Sequence, residues 1–497
     1  MMQRREFLGN VVRTAAAGGA ALIAGRSAWP LAESRRASVT DFGADPTGQK
    51  DSTAAVQKAI ASLARRNARL VFPAGKYTFA GSSAVLMDFS GYEGLEIFGN
   101  GAELRFTGAM QPLRMMGCRD LEVHDFVIDW QGVKDDRAAL CLNGCEQILL
   151  EAVFFHAAPG TAASLRGCRD ITLDTLRVIP HPGSGHTTAI GGGGVEVLDC
   201  TGAVSVQHAI ISGTAGAGTR VQQSYWPVSQ VIDPQSAAVA SGDGKPVPVW
   251  LLPAPGTYMQ ISEANSLKLL GEIVVTKAET APGGMRLTFA ETLSPKVGKG
   301  TLLCLSATNQ AQLKMDDCKF LGGPFVGLVA QSRARIANSF FRGYGGPAIL
   351  LAPDLEHMLG PVVANIHIND CNFAECNLAP EDGRGAFTID TQAQPVSATT
   401  AARVNEGITI QRNGFRQLDG PAIYCAGTAW LDVESNRFED CDRRRRAGEQ
   451  PRTMVLRDLD NSTVIANQAN APGEILMIGC TEKVKVGDNG PLTSATA

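Results

Sequence analysis

The sequence predicts an all-β protein: a right-handed, single-stranded parallel β-helix with an N-terminal capping helix and an inserted small β-barrel. Three observations lead there. Between Cys118 and Ser212 one short phrase is written four times, as Cys118-Arg-Asp-Leu121-Glu-Val123, Cys145-Glu-Gln-Ile148-Leu-Leu150, Cys168-Arg-Asp-Ile171-Thr-Leu173 and Cys200-Thr-Gly-Ala-Val204-Ser-Val206. Each copy adds a second β-rich run after a polar break, and alternating runs such as Leu140-Cys-Leu142 and Val195-Glu-Val197 precede the cysteine. Three short strands per copy, with copies 23 to 32 residues apart, is the period of a stacked β coil and not of helical repeats. Second, a five-residue offset from an aliphatic residue to a ladder residue recurs in both halves: Val123 to Ile128 and Leu150 to Phe155, then Met315 to Phe320, Ile336 to Phe341, Ile368 to Phe373, Ile410 to Phe415 and Val433 to Phe438. Rungs stack about 4.8 Å apart, so residues of like phase form internal ladders over roughly ten rungs. Third, 54 glycines and 25 prolines suit many tight turns better than long helices.

A net charge of −4 and a pI near 6.0 give no reason to expect nucleic acid or an anionic membrane as partner. Residues 1–36 hold Arg4-Arg5-Glu-Phe7-Leu8-Gly9, an Ala/Gly-rich apolar stretch to Ala24, and small residues at Ala28 and Ala32 suited to cleavage. A twin arginine before a mild apolar run is the pattern of a Tat export signal. The expected mature protein is periplasmic or secreted, with no stable membrane insertion. The twelve cysteines share phases of the repeat, Cys118, Cys145, Cys168, Cys200 and Cys480 in one and Cys318 and Cys371 in another. That marks them as free core fillers and not as a disulfide framework.

Residues 37–221 form the cap and the first rungs. A helix is expected from about Thr53 to Arg65, capped by Asp51 or Ser52, with Val56, Ile60 and Leu63 on one face; it closes the open end of the coil. Residues 222–309 interrupt the repeat with many prolines and strand-like runs at Val249–Leu252, Tyr258–Ile261, Gly271–Ala278, Met285–Phe289 and Thr301–Leu305. Turn signals between them point to a small antiparallel barrel. Residues 310–497 return to the coil, with a weak last rung at Ile475 to Val486 and a small-residue tail expected to be disordered. Arg443-Arg-Arg-Arg446 reads as a solvated turn or as a contact for an acidic glycan.

Asp41-Phe-Gly-Ala44, Asp51-Ser-Thr53 and Phe72-Pro73-Ala-Gly75-x-Tyr77 resemble the start of the pectate-lyase-like β-helix superfamily, which implies a carbohydrate-facing scaffold. Val127-Ile128-Asp129-Trp130, the Cys200-Thr-Gly202 rung, the insert, Gly346-Pro-Ala-Ile349 through Asp354 and Gly360-Pro-Val-Val363-x-Asn365-Ile narrow the resemblance to the bacterial exported α-1,3-galactosidases. Those are metal-independent inverting glycosidases. Their Asp-Gly-Ile-His and Gly-Asp-Asp-Ala phrases stand here as Gly193-Gly194-Val195-Glu196 and Ala215-Gly216-Ala217-Gly218. Gly193, Gly216 and Ala217 therefore replace the inherited acids, and inverting hydrolysis needs two carboxyls about 6.5–9.5 Å apart. The family's own activity is not carried over.

The phase of the strands gives an outward column of Arg114, Cys141, Ser164, Glu196, Arg220, Gly327, Leu350, Thr388 and Tyr424. Glu196 beside Arg220 is a surface ion pair or a general acid or base with Arg220 holding substrate. Asp129 and His156 share a phase one residue past the ladder and form a second catalytic candidate. Arg114, His186, Tyr225 and Trp226 are candidate substrate contacts, the aromatics through sugar stacking. No cofactor or metal is called for; only a lyase reading would add calcium at Asp135-Asp136. Two main readings follow: a glycoside hydrolase-like enzyme with a rebuilt site acting on a short or terminal glycan, galactose-containing glycans among the candidates, or a non-catalytic glycan-binding or structural β-helix. A polysaccharide lyase is a minor third reading. The sequence leaves the oligomeric state open.

Overall fold

In the computed structural model the described residues are 36–81, 84–130, 136–181, 190–378, 389–390, 403–444 and 448–496. The proposed export signal and His186 lie outside them, as does Asp135. The chain winds into a long coil of parallel strands, each rung pairing with the next. The face carrying the outward column runs from Val85–Ser90 through Gln111–Met116, Leu140–Asn143, Ala163–Arg166, Val195–Leu198 and Thr219–Ser224, then on from Leu328–Ala330 to Arg452–Arg457. Among the described residues no helix is long and apolar enough to cross a membrane.

The coil holds together because residues of one phase pack on themselves. Ile128, Phe155, Val178 and Ile211 lead in register to Phe320. From there Phe320, Phe341, Phe373, Phe415 and Phe438 stack with ring centroids 4.7 to 5.1 Å apart, and their burial removes large apolar surface from water. The cysteine corner behaves in the same way: Cys118, Cys145, Cys168 and Cys200 are buried, and all twelve cysteines are free. The second corner changes chemistry along its length. Cys318, Ser339 and Cys371 give way to Asn413, Asn436, Asn467 and Asn489. The side-chain nitrogen of each of the first three donates to the next side-chain carbonyl at 2.9–3.0 Å, and each of the four side-chain carbonyls accepts from a backbone amide of the preceding rung.

The capping helix spans Thr53–Ala61, shorter than the sequence implied, and buries Val56 and Ala59. Asp51 accepts from the Thr53 amide at 2.8 Å, while the Ser52 hydroxyl is turned to the Asp45 amide at 3.0 Å. The insert is a closed barrel of Trp226–Asp233, Ser236–Ala240, Gly284–Phe289, Leu269–Ala281, Tyr258–Ser262 and Leu302–Leu305. Its first two strands escaped the sequence reading, and Val249–Leu251 is a tight helical turn instead of a strand. That turn carries Trp250 onto the coil: a Cβ on Gly144 would come 2.6 Å from Trp250 Cβ, and one on Gly167 3.0 Å from its ring. The C-terminal tail is not disordered, since Gly490–Thr496 pairs with Gln468–Ile478.

Candidate functional site

Val195–Leu198 alternates inward Val195 and Val197 with outward Glu196 and Leu198, as the pleat requires. The next rung, Thr219–Ser224, sets Arg220 directly opposite Glu196. Beyond Arg220 the column continues through Val329, Leu350, Asp390 and Tyr424. Val329 and Asp390 thus take the places assigned to Gly327 and Thr388, because the turns before those strands differ in length.

Stacked glycine turns lead into these strands. Gly194 donates to Ala217 O at 3.0 Å, Gly216 to Gly192 O at 2.9 Å and Gly218 to Val326 O at 2.9 Å. A Cβ on Gly194 would come 2.3 Å from Gly218 O, so the close stacking excludes side chains there. Gly193 differs: what its Cβ would meet first is Glu196 Oε1, at 3.2 Å. The Glu196 carboxyl is folded over Gly193, in the space a side chain at that position would enter.

Glu196 is half-buried and makes no hydrogen bond among the described residues. Burial pushes its pKa up, and the nearby Arg220 only partly opposes this. Arg220 itself pairs with Asp354, Nη1 to Oδ2 at 3.8 Å, and its Nε is buried without a partner. Asp354 is delivered by a hairpin that the repeat does not announce. It bridges Leu359, and Leu359–Gly360 then pairs antiparallel with the end of the Arg220 strand. His357 fixes the carboxylate with its amide at 3.1 Å and its Nδ1 at 2.8 Å. The cation Arg220 therefore stands beside two carboxyls, one half-buried and one hydrogen-bonded. On the turn leading to the Val329 strand, Phe325 is 48% exposed, an aromatic face the sequence reading passed over.

The other predicted residues fare differently. Arg114 is in the column but is tied to Asp88, Nε to Oδ1 at 3.0 Å. Tyr225 and Trp226, 1% and 4% exposed, are structural and not sugar platforms. Tyr225 lies against Gly360, where a Cβ would come 2.1 Å from its ring, and Trp226 sits in the barrel core. Asp129 does not stack on His156: a register shift puts Ala157 opposite it, and His156 meets His181 edge-on with centroids 5.2 Å apart. Asp129 is fully buried, 3.8 Å from Arg105 Nε, and its carboxylate lies with Glu103 and His181 in a group whose donor atoms are within 4.8 Å of one another. This is the one group among the described residues with the donors to hold a metal. Arg443 and Arg444 both pair with Asp419, and Asp136 is exposed.

Comparison with known proteins agrees with the fold. Residues 37–117 match the family model described as rhamnogalacturonase A/epimerase, pectate lyase-like. The chain is 22% identical over 322 residues to α-1,3-galactosidase A of Bacteroides thetaiotaomicron, covering 61% of this chain and 55% of that one. It is 31% identical over 121 residues to α-1,3-galactosidase B of the same organism, covering 20% and 19%. It spans about half the length, or less, of these curated relatives. PfbA, a surface adhesin of Streptococcus pneumoniae, superposes with a TM-score of 0.46 at 12% identity over 93% of this chain and 91% of that one. The chain has a pectate-lyase-like parallel β-helix fold and weak homology to the bacterial α-1,3-galactosidases.

Proposed function

We propose that this protein is an exported, glycoside hydrolase-like enzyme that cleaves a short or terminal glycan with a rebuilt acid pair. The observation that supports it most is the Glu196 carboxyl over Gly193, with its raised pKa, one rung from an arginine held by a second carboxylate. Protonated Glu196 donates to the glycosidic oxygen as the bond from the anomeric carbon to that oxygen breaks. Water adds to the anomeric carbon from the other side and loses its proton to Asp354. Arg220 holds a sugar hydroxyl or ring oxygen between them, and Phe325 offers an apolar face to the ring.

A non-catalytic glycan-binding reading is favoured by Gly193, Gly216 and Ala217 standing where the resembling family has acids. The purified protein lacking residues 1–36 should be screened on aryl glycosides and on galactose-, fucose- and uronate-containing oligosaccharides, with binding and product release read together. Binding with turnover that Glu196→Gln removes supports the enzyme. Binding with no turnover on any substrate supports the second reading.

A further inference from the structure

The reaction just described leaves unused a group of side chains at the ends of the Glu93–Phe106 and Arg119–Trp130 strands. Register puts Arg105 opposite Asp129, with Glu103 two residues before it on the same strand. The chain following Arg177–Val178 carries His181 to the same place. We propose that Glu103, Asp129 and His181 bind a divalent transition-metal ion, with His156, whose ring stands against that of His181, as a further donor.

The donor chemistry is specific. Two carboxylate oxygens and an imidazole nitrogen suit borderline Zn²⁺, or Mn²⁺ through the carboxylates, whereas Ca²⁺ prefers six to eight oxygens. The donor atoms already lie within 4.8 Å of one another. Zinc bonds of about 2.0–2.2 Å in a tetrahedral site leave donors roughly 3.3–3.6 Å apart, so the three side chains must draw in by about an ångström at most to close the site. His156 supplies an independent observation: its Nδ1 is buried with no hydrogen-bond partner, beside the His181 ring. A buried, unsatisfied ring nitrogen is costly unless something occupies it.

Arg105 is the internal competitor. It reaches Glu103 at 2.8 Å and Asp129 at 3.8 Å, and Lys76 reaches Glu103 at 3.2 Å. Those cations hold the carboxylates in register and must yield part of that contact to an ion. Removing Arg105 should therefore tighten metal binding, the opposite of its effect on an ordinary ion-pair cluster.

The test is calorimetric titration of the EDTA-treated protein lacking residues 1–36 with Zn²⁺, Mn²⁺ and Ca²⁺, paired with thermal melts. One saturable Zn²⁺ or Mn²⁺ per chain is expected, with Ca²⁺ much weaker. His181→Ala and Asp129→Asn should each weaken binding at least about tenfold, Arg105→Gln should strengthen it, and Glu196→Gln should leave it unchanged. His181→Ala removes a part-exposed side chain, so it remains informative where Asp129→Asn lowers the melting temperature. Absence of saturable uptake, or uptake equal in His181→Ala and the parent, overturns the proposal. Because Glu196→Gln separates the two sites, failure here leaves the glycan reading standing.

Discussion

Glu196 Oε1 lies 3.2 Å from where a Cβ on Gly193 would stand, so the glycine and the carboxyl occupy one space between them. Glu196→Gln keeps the shape and loses the proton; it should abolish turnover while binding stays within about twofold of the parent. Gly193→Ala should keep the fold at a small cost in stability, because the group it meets first is a flexible side chain while Ala217 O, at 3.3 Å, must give by only a few tenths of an ångström. It should lower kcat/KM by about ten- to a hundredfold by displacing the carboxyl. Initial rates beside melting curves check both.

The pH profile follows from the raised Glu196 pKa. A general acid must be protonated, so kcat/KM should fall as pH rises through a value above the ordinary carboxylate range of about 4.3. The sign for stability is the same: a raised folded pKa favours the fold at low pH, and that contribution is lost as pH climbs through it. An alkaline limb unchanged in Glu196→Asp would place the titrating group elsewhere.

Arg220→Ala should weaken glycan binding by about 1.5–3 kcal/mol, roughly ten- to a hundredfold, as expected for a charge-assisted hydrogen bond. Asp354→Asn should instead lower kcat with little change in affinity, because it keeps the hydrogen-bonding shape and loses the base. Equal losses of affinity in both variants would make Asp354 a positioning residue for Arg220.

Thiol titration of the denatured, unreduced protein should find nearly all twelve cysteines free. Asn436→Ala should cost about 2–4 kcal/mol in urea unfolding, because it takes the Asn436 side chain away from the Asn413 backbone amide and the Ile410 carbonyl inside the coil. A loss below about 0.5 kcal/mol would mean the ladder relaxes around the gap.

The coil was legible because alternation and the five-residue offset are local properties that every rung repeats. Glu196 and Arg220 were legible for the same reason: phase alone makes them neighbours. Asp354 was not, because a hairpin outside the repeat brings it there; the Asp354-x-x-His357 spacing was the available signal, and the hydrogen bond between them uses it. Tyr225 and Trp226 misled because a junction between insert and coil is itself a buried interface, where aromatics serve packing. His156 misled through a single-residue register shift, which phase counting cannot register.

The barrel leaves the coil after Thr219–Ser224, yet Trp250 rests on Gly144 and Gly167, which follow the strands three and two rungs earlier. At about 4.8 Å per rung, the insert acts as a caliper closed on a fixed length of coil. Coils gained or lost beyond Phe320 leave that span untouched. One gained or lost between Gly144 and Ser224 would pull the indole off its glycine seats, so the coil's length can drift only outside the span the insert grips.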